Sequence, residues 1–238
     1  MRCIGFSTGA LALEDFRRAL RMLESKDVCA IELSALRQDE LAPFVEQLDD
    51  LDLTRFEYIA LHAPSSMVPV FEPVAIELLE RVAVRNWPIV VHPDAIHEPS
   101  GWTQFGDLLC IENMDKRKPI GQTAQDLQAL FNVFPEASFC FDIGHARQVD
   151  PTMSEATAIL HQFADRLKQL HVSEVNTQSK HCPLSLESLI AFHRVSHLVP
   201  KDAPIILESR VGEEDINEEI ANALSALSTD GVFAIAGN

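Results

Sequence analysis

The chain has 238 residues, of which 47% are hydrophobic, and this is enough to bury one large core without a second domain. Its formal net charge of -17 works against non-specific contact with nucleic-acid phosphates, so small-molecule substrates are favoured over long polyanions. Neither a secretion signal nor an apolar run near the roughly 20 residues that cross a bilayer is present, so we expect a cytoplasmic protein with no membrane partner.

Short apolar runs alternate with longer segments of helical period, as in βα units around a parallel sheet. The runs are continuously apolar and end in a polar residue, which is typical of barrel strands buried on both faces. The sequence therefore predicts a single (β/α)₈ TIM barrel over 1–238. The predicted strands are Cys3–Phe6, Ala30–Leu33, Tyr58–His62, Pro88–His92, Leu108–Glu112, Ser138–Asp142, Leu167–His171 and Ile205–Glu208.

The segments between these runs have the apolar spacing of helices that pack on a sheet. Only a loop and one turn around Trp102 fit between His92 and Leu108, so we expect a degenerate fourth helix. The predicted helices are Glu14–Glu24, Pro73–Val84, Thr123–Phe134, Ser154–Leu167, Ser185–Val199 and Asp215–Leu227.

Six consecutive strand-like runs end in a side chain that can bind a metal ion. In a barrel the carboxyl ends of all strands meet at one mouth, so these residues are expected to surround a common point. Three carboxylates gathered there would repel one another unless a cation lay among them. The nitrogen and oxygen donors suit zinc, manganese, iron or magnesium. The residues are His62, His92, Glu112, Asp142, His171 and Glu208.

Five segments at these strand ends resemble the xylose-isomerase-like TIM-barrel superfamily, which contains ketose epimerases, sugar isomerases and apurinic-site endonucleases. The similarity spans nearly the whole chain, and its most specific part is the Asp-x-Gly-His run Asp142–His145. The segments are Leu61–Pro64, Val91–Pro93, Ile111–Met114, Phe141–Ala146 and Leu170–Glu174.

Resemblance to the isomerases and epimerases implies one divalent ion, zinc or manganese, bound by Glu112, Asp142, His171 and Glu208. It also implies that Glu112 and Glu208 exchange a proton beside a substrate carbonyl, and that His145 helps to hold the substrate. Such chemistry agrees with a carboxylate base acting on a carbon acid that a metal has polarised. The leading hypothesis is therefore a metal-dependent isomerase or epimerase of a small sugar-like substrate.

Resemblance to the endonucleases implies a second hypothesis, a zinc-dependent phosphodiesterase with up to three ions. His62 and His92 match the first-site histidines of that family, and His145 and His181 match ligands of its third site. The chain departs from the family at Ser179, which stands where the endonucleases have an Asp. A third hypothesis is a barrel retained as a non-catalytic binding module, because fold alone does not fix activity.

Residues outside the strand ends complete the expected site. Arg210 and Trp102 are candidates for substrate binding, and Glu32 is a candidate partner for a metal-binding histidine. We leave the basic run 116–118 out of the site as a solvated loop. The five cysteines are expected to be reduced, and only Cys182, beside His181, is not assigned a purely structural role.

Overall fold

A computed structural model describes residues 2–228 of the chain. The domain predicted over 1–238 therefore includes residue 1 and residues 229–238, which lie outside the described residues. Eight strands pair in parallel, namely β1 (Ile4–Ser7), β2 (Ala30–Ser34), β3 (Tyr58–His62), β4 (Ile89–Val91), β5 (Leu109–Glu112), β6 (Ser138–Asp142), β7 (Leu167–Val172) and β10 (Ile205–Leu207). They form a closed barrel in the order β1-β10-β7-β6-β5-β4-β3-β2.

Helices surround the barrel, and a two-stranded antiparallel hairpin lies between β7 and β10. The hairpin consists of β8 (Glu174–Val175) and β9 (His181–Cys182). The helices are α1 (Thr8–Ala12), α2 (Phe16–Leu23), α3 (Gln38–Glu46), α4 (Glu72–Ala83), α5 (Pro99–Trp102), α6 (Ala124–Val133), α7 (Ile143–Val149), α8 (Ser154–Phe163), α9 (Leu186–His193) and α10 (Ile216–Ala226). Among residues 2–228, no helix combines the length and apolarity needed to cross a membrane.

The predicted barrel is confirmed, and so is its irregular connection between β4 and β5. There the chain forms only the four-residue helix α5 and 3₁₀ turns. The side chain of Trp102 is fully buried and holds this short connection against the core. Its indole N–H donates a 2.8 Å hydrogen bond to Glu72 on α4. Helices α1 and α7 and the hairpin were not predicted, since each is short and begins at or near a strand end. Helix α3 was not predicted either, and Pro43, a residue that usually interrupts helices, lies inside it.

Helix starts follow from local side-chain chemistry. Thr123 caps α6, and its hydroxyl accepts a 3.1 Å hydrogen bond from the amide of Asp126, whose carboxylate accepts the Thr123 amide in return. Ser185 caps α9 through its hydroxyl, which accepts a hydrogen bond from the amide of Ser188. These caps fix where each helix leaves the loops that surround the barrel mouth.

The core has two layers. The larger one lies between the strands and the helices, and it contains fully buried aromatic side chains such as Phe6, Phe139 and Phe192. Inside the barrel, Val90, Cys110 and Cys140 form a small apolar plug. The barrel interior also contains buried polar side chains, such as Glu32 and Gln169, which lie beneath the site at the carboxyl ends of the strands.

Candidate metal centre

A cluster of acidic and imidazole side chains lies at one mouth of the barrel, where the carboxyl ends of the strands meet. His62, Glu112 and Asp142 are the last residues of β3, β5 and β6, and their side chains are almost completely buried. His92 follows β4, His171 lies near the end of β7, and Glu208 follows β10. An open cavity of about 550 Å³ lies at this mouth, and four of the six side chains line it, namely His62, His92, Glu112 and Glu208.

Three overlapping donor sets lie in this mouth, and the potential ligand atoms of each set are within 4.8 Å of one another. Glu112 belongs to the first and second sets, and Asp142 belongs to the second and third. The sets are, in order, His62, His92 and Glu112; Glu112, Asp142, His171 and Glu208; and Asp142, His145 and His181. A further set of the same spacing joins Glu32, His62 and Glu208.

The carboxylate of Glu112 faces two groups of histidines with its two oxygens. Its Oε2 lies 3.3 Å from Nε2 of both His62 and His92. Its Oε1 lies 3.3 Å from Nδ1 of both His171 and His145. A carboxylate placed in this way can bridge two cations, because each oxygen is directed at a different set of donors.

Backbone carbonyls decide which imidazole nitrogens are free to bind a cation. Nδ1 of His62 lies 2.7 Å from the carbonyl oxygen of Ala63, and Nδ1 of His92 lies 3.2 Å from that of Ser65. A carbonyl oxygen only accepts hydrogen bonds, so each Nδ1 carries a proton and donates it. Nε2 of both rings is thereby directed at Glu112 as a potential ligand.

His171 is held by a buried carboxylate inside the barrel, as expected for Glu32. Glu32 Oε2 lies 2.8 Å from Nε2 of His171 and also accepts a 2.6 Å hydrogen bond from the side-chain Nε2 of Gln169. All three side chains are fully buried. The contact leaves Nδ1 of His171 facing Glu112 and Glu208, at 3.3 and 3.5 Å.

Local backbone geometry places Asp142 and His145 together. Asp142 caps α7, and its Oδ1 accepts a 2.7 Å hydrogen bond from the amide of His145. Gly144 allows this turn because a Cβ there would lie 2.3 Å from the carbonyl oxygen of Ser173. The other oxygen of Asp142 is buried and accepts no hydrogen bond from the described residues.

Electrostatics in the cluster favour a bound cation. Burial raises the pKa of Asp142 to about 6, and the charges of Glu208 and Glu112 add to the increase against the opposing charge of His145. Burial disfavours the charged form of His62, yet its hydrogen bond to Glu112 and the charges of Glu32 and Glu112 raise its pKa to about 9. The carboxylates therefore require positive charge nearby, and without a metal ion protonated histidines provide it.

A carboxylate that was not predicted from the sequence, Asp115, lies beside the third donor set. Ser179 donates a 3.1 Å hydrogen bond to Oδ1 of Asp115, whose Oδ2 lies 4.0 Å from Nε2 of His145. Asp115 follows β5 three residues after Glu112, and Arg117 also pairs with it at 3.0 Å. Asp115 follows Glu112 closely in the sequence, but no sequence pattern indicated that the loop after β5 turns its side chain towards the site.

The remaining predicted residues lie in two places. Arg210 and His181 line the cavity, together with Lys180 and with Arg117 and Lys118 from the basic run that we had left out of the site. Trp102 is instead packed in the core, where its N–H is satisfied by Glu72, and it is not among the lining residues. Trp102 therefore cannot contact a substrate in this cavity as we expected, and it instead stabilises the β4–β5 connection.

Solved structures of low sequence identity share this fold. Endonuclease IV from Thermus thermophilus matches with a TM-score of 0.61 at 16% identity, over 94% of this chain and 98% of that one. A putative sugar phosphate isomerase/epimerase from Anabaena variabilis matches with a TM-score of 0.57 at 14% identity, over 100% of this chain and 91% of that one. SacUVDE matches with a TM-score of 0.53 at 14% identity, over 89% and 84% of the two chains.

These solved structures match the fold of this chain over most of its length, so the predicted resemblance is confirmed at the level of the fold. No family model matches the sequence, and no curated protein does. The neighbours include both an endonuclease and sugar phosphate isomerase/epimerases, and the choice between these activities rests on the site itself.

Proposed function

We propose that the protein is a metal-dependent hydrolase of phosphate esters on small substrates, with a polynuclear centre. The observation that carries this proposal is the position of Glu112 between two donor sets, with each oxygen 3.3 Å from histidine nitrogens of a different set. This ranking reverses the one favoured by the sequence, in which Glu112 was half of an acid-base pair. Two or more neighbouring cations are typical of phosphate-ester hydrolysis.

A proton-transfer role for Glu112 conflicts with its surroundings. An isomerase base needs a carboxylate oxygen that is free to reach the substrate, and a pKa near the working pH. Burial would raise the pKa of Glu112, but the charges of His171 and His92 and its hydrogen bonds to His145 and His171 hold it well below the usual value. Glu112 is therefore better suited to bind cations than to exchange protons.

The chain supplies ligands for the cations and a cationic rim for the substrate. Divalent cations bound to these donor sets would supply the positive charge that polarises a phosphoryl oxygen. Arg210 and Lys180 are exposed at the cavity and form no ion pair with any residue in 2–228, so both are available to a phosphate group.

The size of the cavity and the net charge favour a small substrate. The volume of about 550 Å³ lies within the range of small-molecule sites. The net charge of -17 opposes the approach of a long polyanion, and four cationic residues at the cavity attract a single phosphate only locally. The hydrolase that we propose therefore acts on a phosphorylated metabolite rather than on duplex DNA.

An isomerase or epimerase is the second candidate, and the complete set Glu112, Asp142, His171 and Glu208 favours it. Burial raises the pKa of Glu208, which would suit this residue as a single acid or base. This reaction needs the second donor set alone. The first set, with His62 and His92, then has no part in the chemistry.

A variant of His92 separates the two candidates. We expect His92→Asn to reduce hydrolysis of the phosphate monoester p-nitrophenyl phosphate by more than the roughly 10–100-fold that loss of a ligand's hydrogen-bond partner causes, because it removes one ligand of the first donor set. His161→Asn, in an exposed position on α8, is the matched control and should retain wild-type activity. Isomerisation of a sugar phosphate that is unchanged by His92→Asn would favour the second candidate.

A further inference from the structure

Two thiols and a carboxylate come together at the opposite mouth of the barrel. Cys3, Cys29 and Glu57 are each the residue immediately before a strand, namely β1, β2 and β3. These strands are neighbours in the sheet, with β2 paired to both of the others. The three side chains therefore emerge side by side from the amino ends of adjacent strands.

The backbone ladder fixes these three positions. The amide of Cys29 donates a 3.0 Å hydrogen bond to the carbonyl of Ile4, and the amide of Glu57 donates one of 2.8 Å to the carbonyl of Cys29. The potential ligand atoms of Cys3, Cys29 and Glu57 lie within 4.8 Å of one another. The cluster is thus preorganised by the sheet and does not depend on a flexible loop.

The cluster is accessible to solvent, and no basic side chain among the described residues pairs with the carboxylate of Glu57. Both thiols are free and half-buried. Sγ of Cys29 makes a long 4.0 Å contact with the carbonyl oxygen of Ile4 and a weak hydrogen bond with the thiol of Cys3. Glu57 is exposed, and within residues 2–228 its carboxylate makes neither a hydrogen bond nor an ion pair. The nearby guanidinium of Arg55 is directed instead at backbone carbonyls of 23–26. A cation could therefore enter and displace only weak contacts.

We propose that Cys3, Cys29 and Glu57 form a second metal site, for a thiophilic divalent ion such as zinc, at the amino-terminal mouth of the barrel. Two sulfur donors select for zinc and similar ions over magnesium or calcium, and the carboxylate completes a three-residue set with an open fourth position. Metal binding displaces the thiol protons and cross-links the amino ends of three neighbouring strands.

This site is independent of the phosphate-ester hydrolase proposed above. Glu57 and His62 lie at opposite ends of β3, which places them about 17 Å apart at a rise of roughly 3.3 Å per residue. The centre at the carboxyl mouth contains no cysteine among its donor sets. Spectroscopy that detects metal-sulfur bonds therefore distinguishes the two sites in the same protein.

Cadmium titration of the metal-free full-length protein tests the proposal. We expect the ultraviolet thiolate-to-cadmium charge-transfer band to reach the intensity of one thiolate-bound ion per chain, because cadmium bound at the carboxyl mouth has no cysteine ligand and adds nothing to this band. Cys29→Ser should abolish this band, whereas Cys182→Ser should leave it intact, because Cys182 is the other half-buried thiol and lies outside the cluster. A band that persists in Cys29→Ser, or disappears in Cys182→Ser, would overturn the assignment.

Glu57→Gln provides a second test that does not disturb the buried strands. Loss of a direct ligand should weaken cadmium binding more than the roughly 10–100-fold that loss of a ligand's hydrogen-bond partner causes. Unchanged affinity in this variant would contradict the site, as would isolation of Cys3 and Cys29 as a disulfide under reducing conditions. Circular dichroism of each variant establishes that the barrel is intact.

Discussion

Ser179 donates a hydrogen bond of 3.1 Å to Asp115, and this contact brings a carboxylate to the third donor set of the candidate centre. The resemblance to the endonucleases implies an Asp at the position of Ser179. In this chain the acidic group comes from the loop after β5 instead. Its other oxygen lies 4.0 Å from Nε2 of His145, so Asp115 is placed to compensate for the missing residue.

Substitution of Asp115 tests this compensation. We expect Asp115→Asn to lower the metal content by about one ion per chain, because an ion at the third donor set then loses the anionic group beside His145. Ser179→Asp should tighten binding of the same ion, and Asp tolerates the positive φ of 53° at this position. Equilibrium dialysis followed by elemental analysis measures both effects. Metal content unaffected by either change would exclude Asp115 from the centre.

The strand ends were predictable from sequence because a buried barrel strand is a continuous apolar run, and its last polar residue stands out. His62, Glu112 and Asp142 were identified by this signal. Asp115 and Lys118 lie in a loop, where direction depends on contacts distant in sequence, such as the 2.8 Å pair of Lys118 with Asp94. No periodic pattern encodes such contacts, so these two residues became evident only in the structure.

Removal of the carboxylate behind His171 should weaken the second donor set. Glu32→Gln preserves the shape of the side chain but removes the charge that holds Nε2 of His171 at 2.8 Å. We expect a loss in metal affinity of roughly 10–100-fold, measured by competition with a chelating dye. Glu174→Gln is the matched control, because Glu174 pairs with Arg147 outside the centre. Equal affinities in both variants would contradict this role.

The close approach of α7 to the loop after β7 should make Gly144 sensitive to substitution. A methyl group there would lie 2.3 Å from a backbone oxygen of Ser173, so Gly144→Ala should destabilise the fold by roughly 1–3 kcal/mol. Gly101→Ala is a suitable control, since its added methyl meets only the flexible end of Ile76. Urea unfolding measures the difference, and equal stability of the two variants would be contrary to expectation.

Stability of the metal-free protein should depend on pH through the buried histidines. The folded protein raises the pKa of His62 from 6.5 to about 9, and that of His145 to about 10, because neighbouring carboxylates outweigh the effect of burial. Tighter proton binding in the folded state stabilises it below pH 6.5, and this contribution is lost as the pH rises through the folded-state values. The free energy of unfolding should therefore decrease between about pH 6.5 and 10.

Urea unfolding at several pH values measures this trend, with His62→Gln as the comparison. The variant should show a shallower decrease, since one of the titrating groups is gone. Excess zinc should oppose the decrease, because metal binding requires unprotonated imidazoles and improves as they lose protons. A metal-free protein whose stability is constant over this range would contradict the assigned charge states.

The number of metal ions at the carboxyl mouth tests the central claim most directly. Elemental analysis of the Cys29→Ser variant, which lacks the proposed thiol site, reports the carboxyl mouth alone. We expect two or three ions per chain, with the content falling by one in a further His92→Asn variant. A single ion per chain, retained after His92→Asn, would contradict the polynuclear centre and with it the proposed phosphate-ester hydrolase.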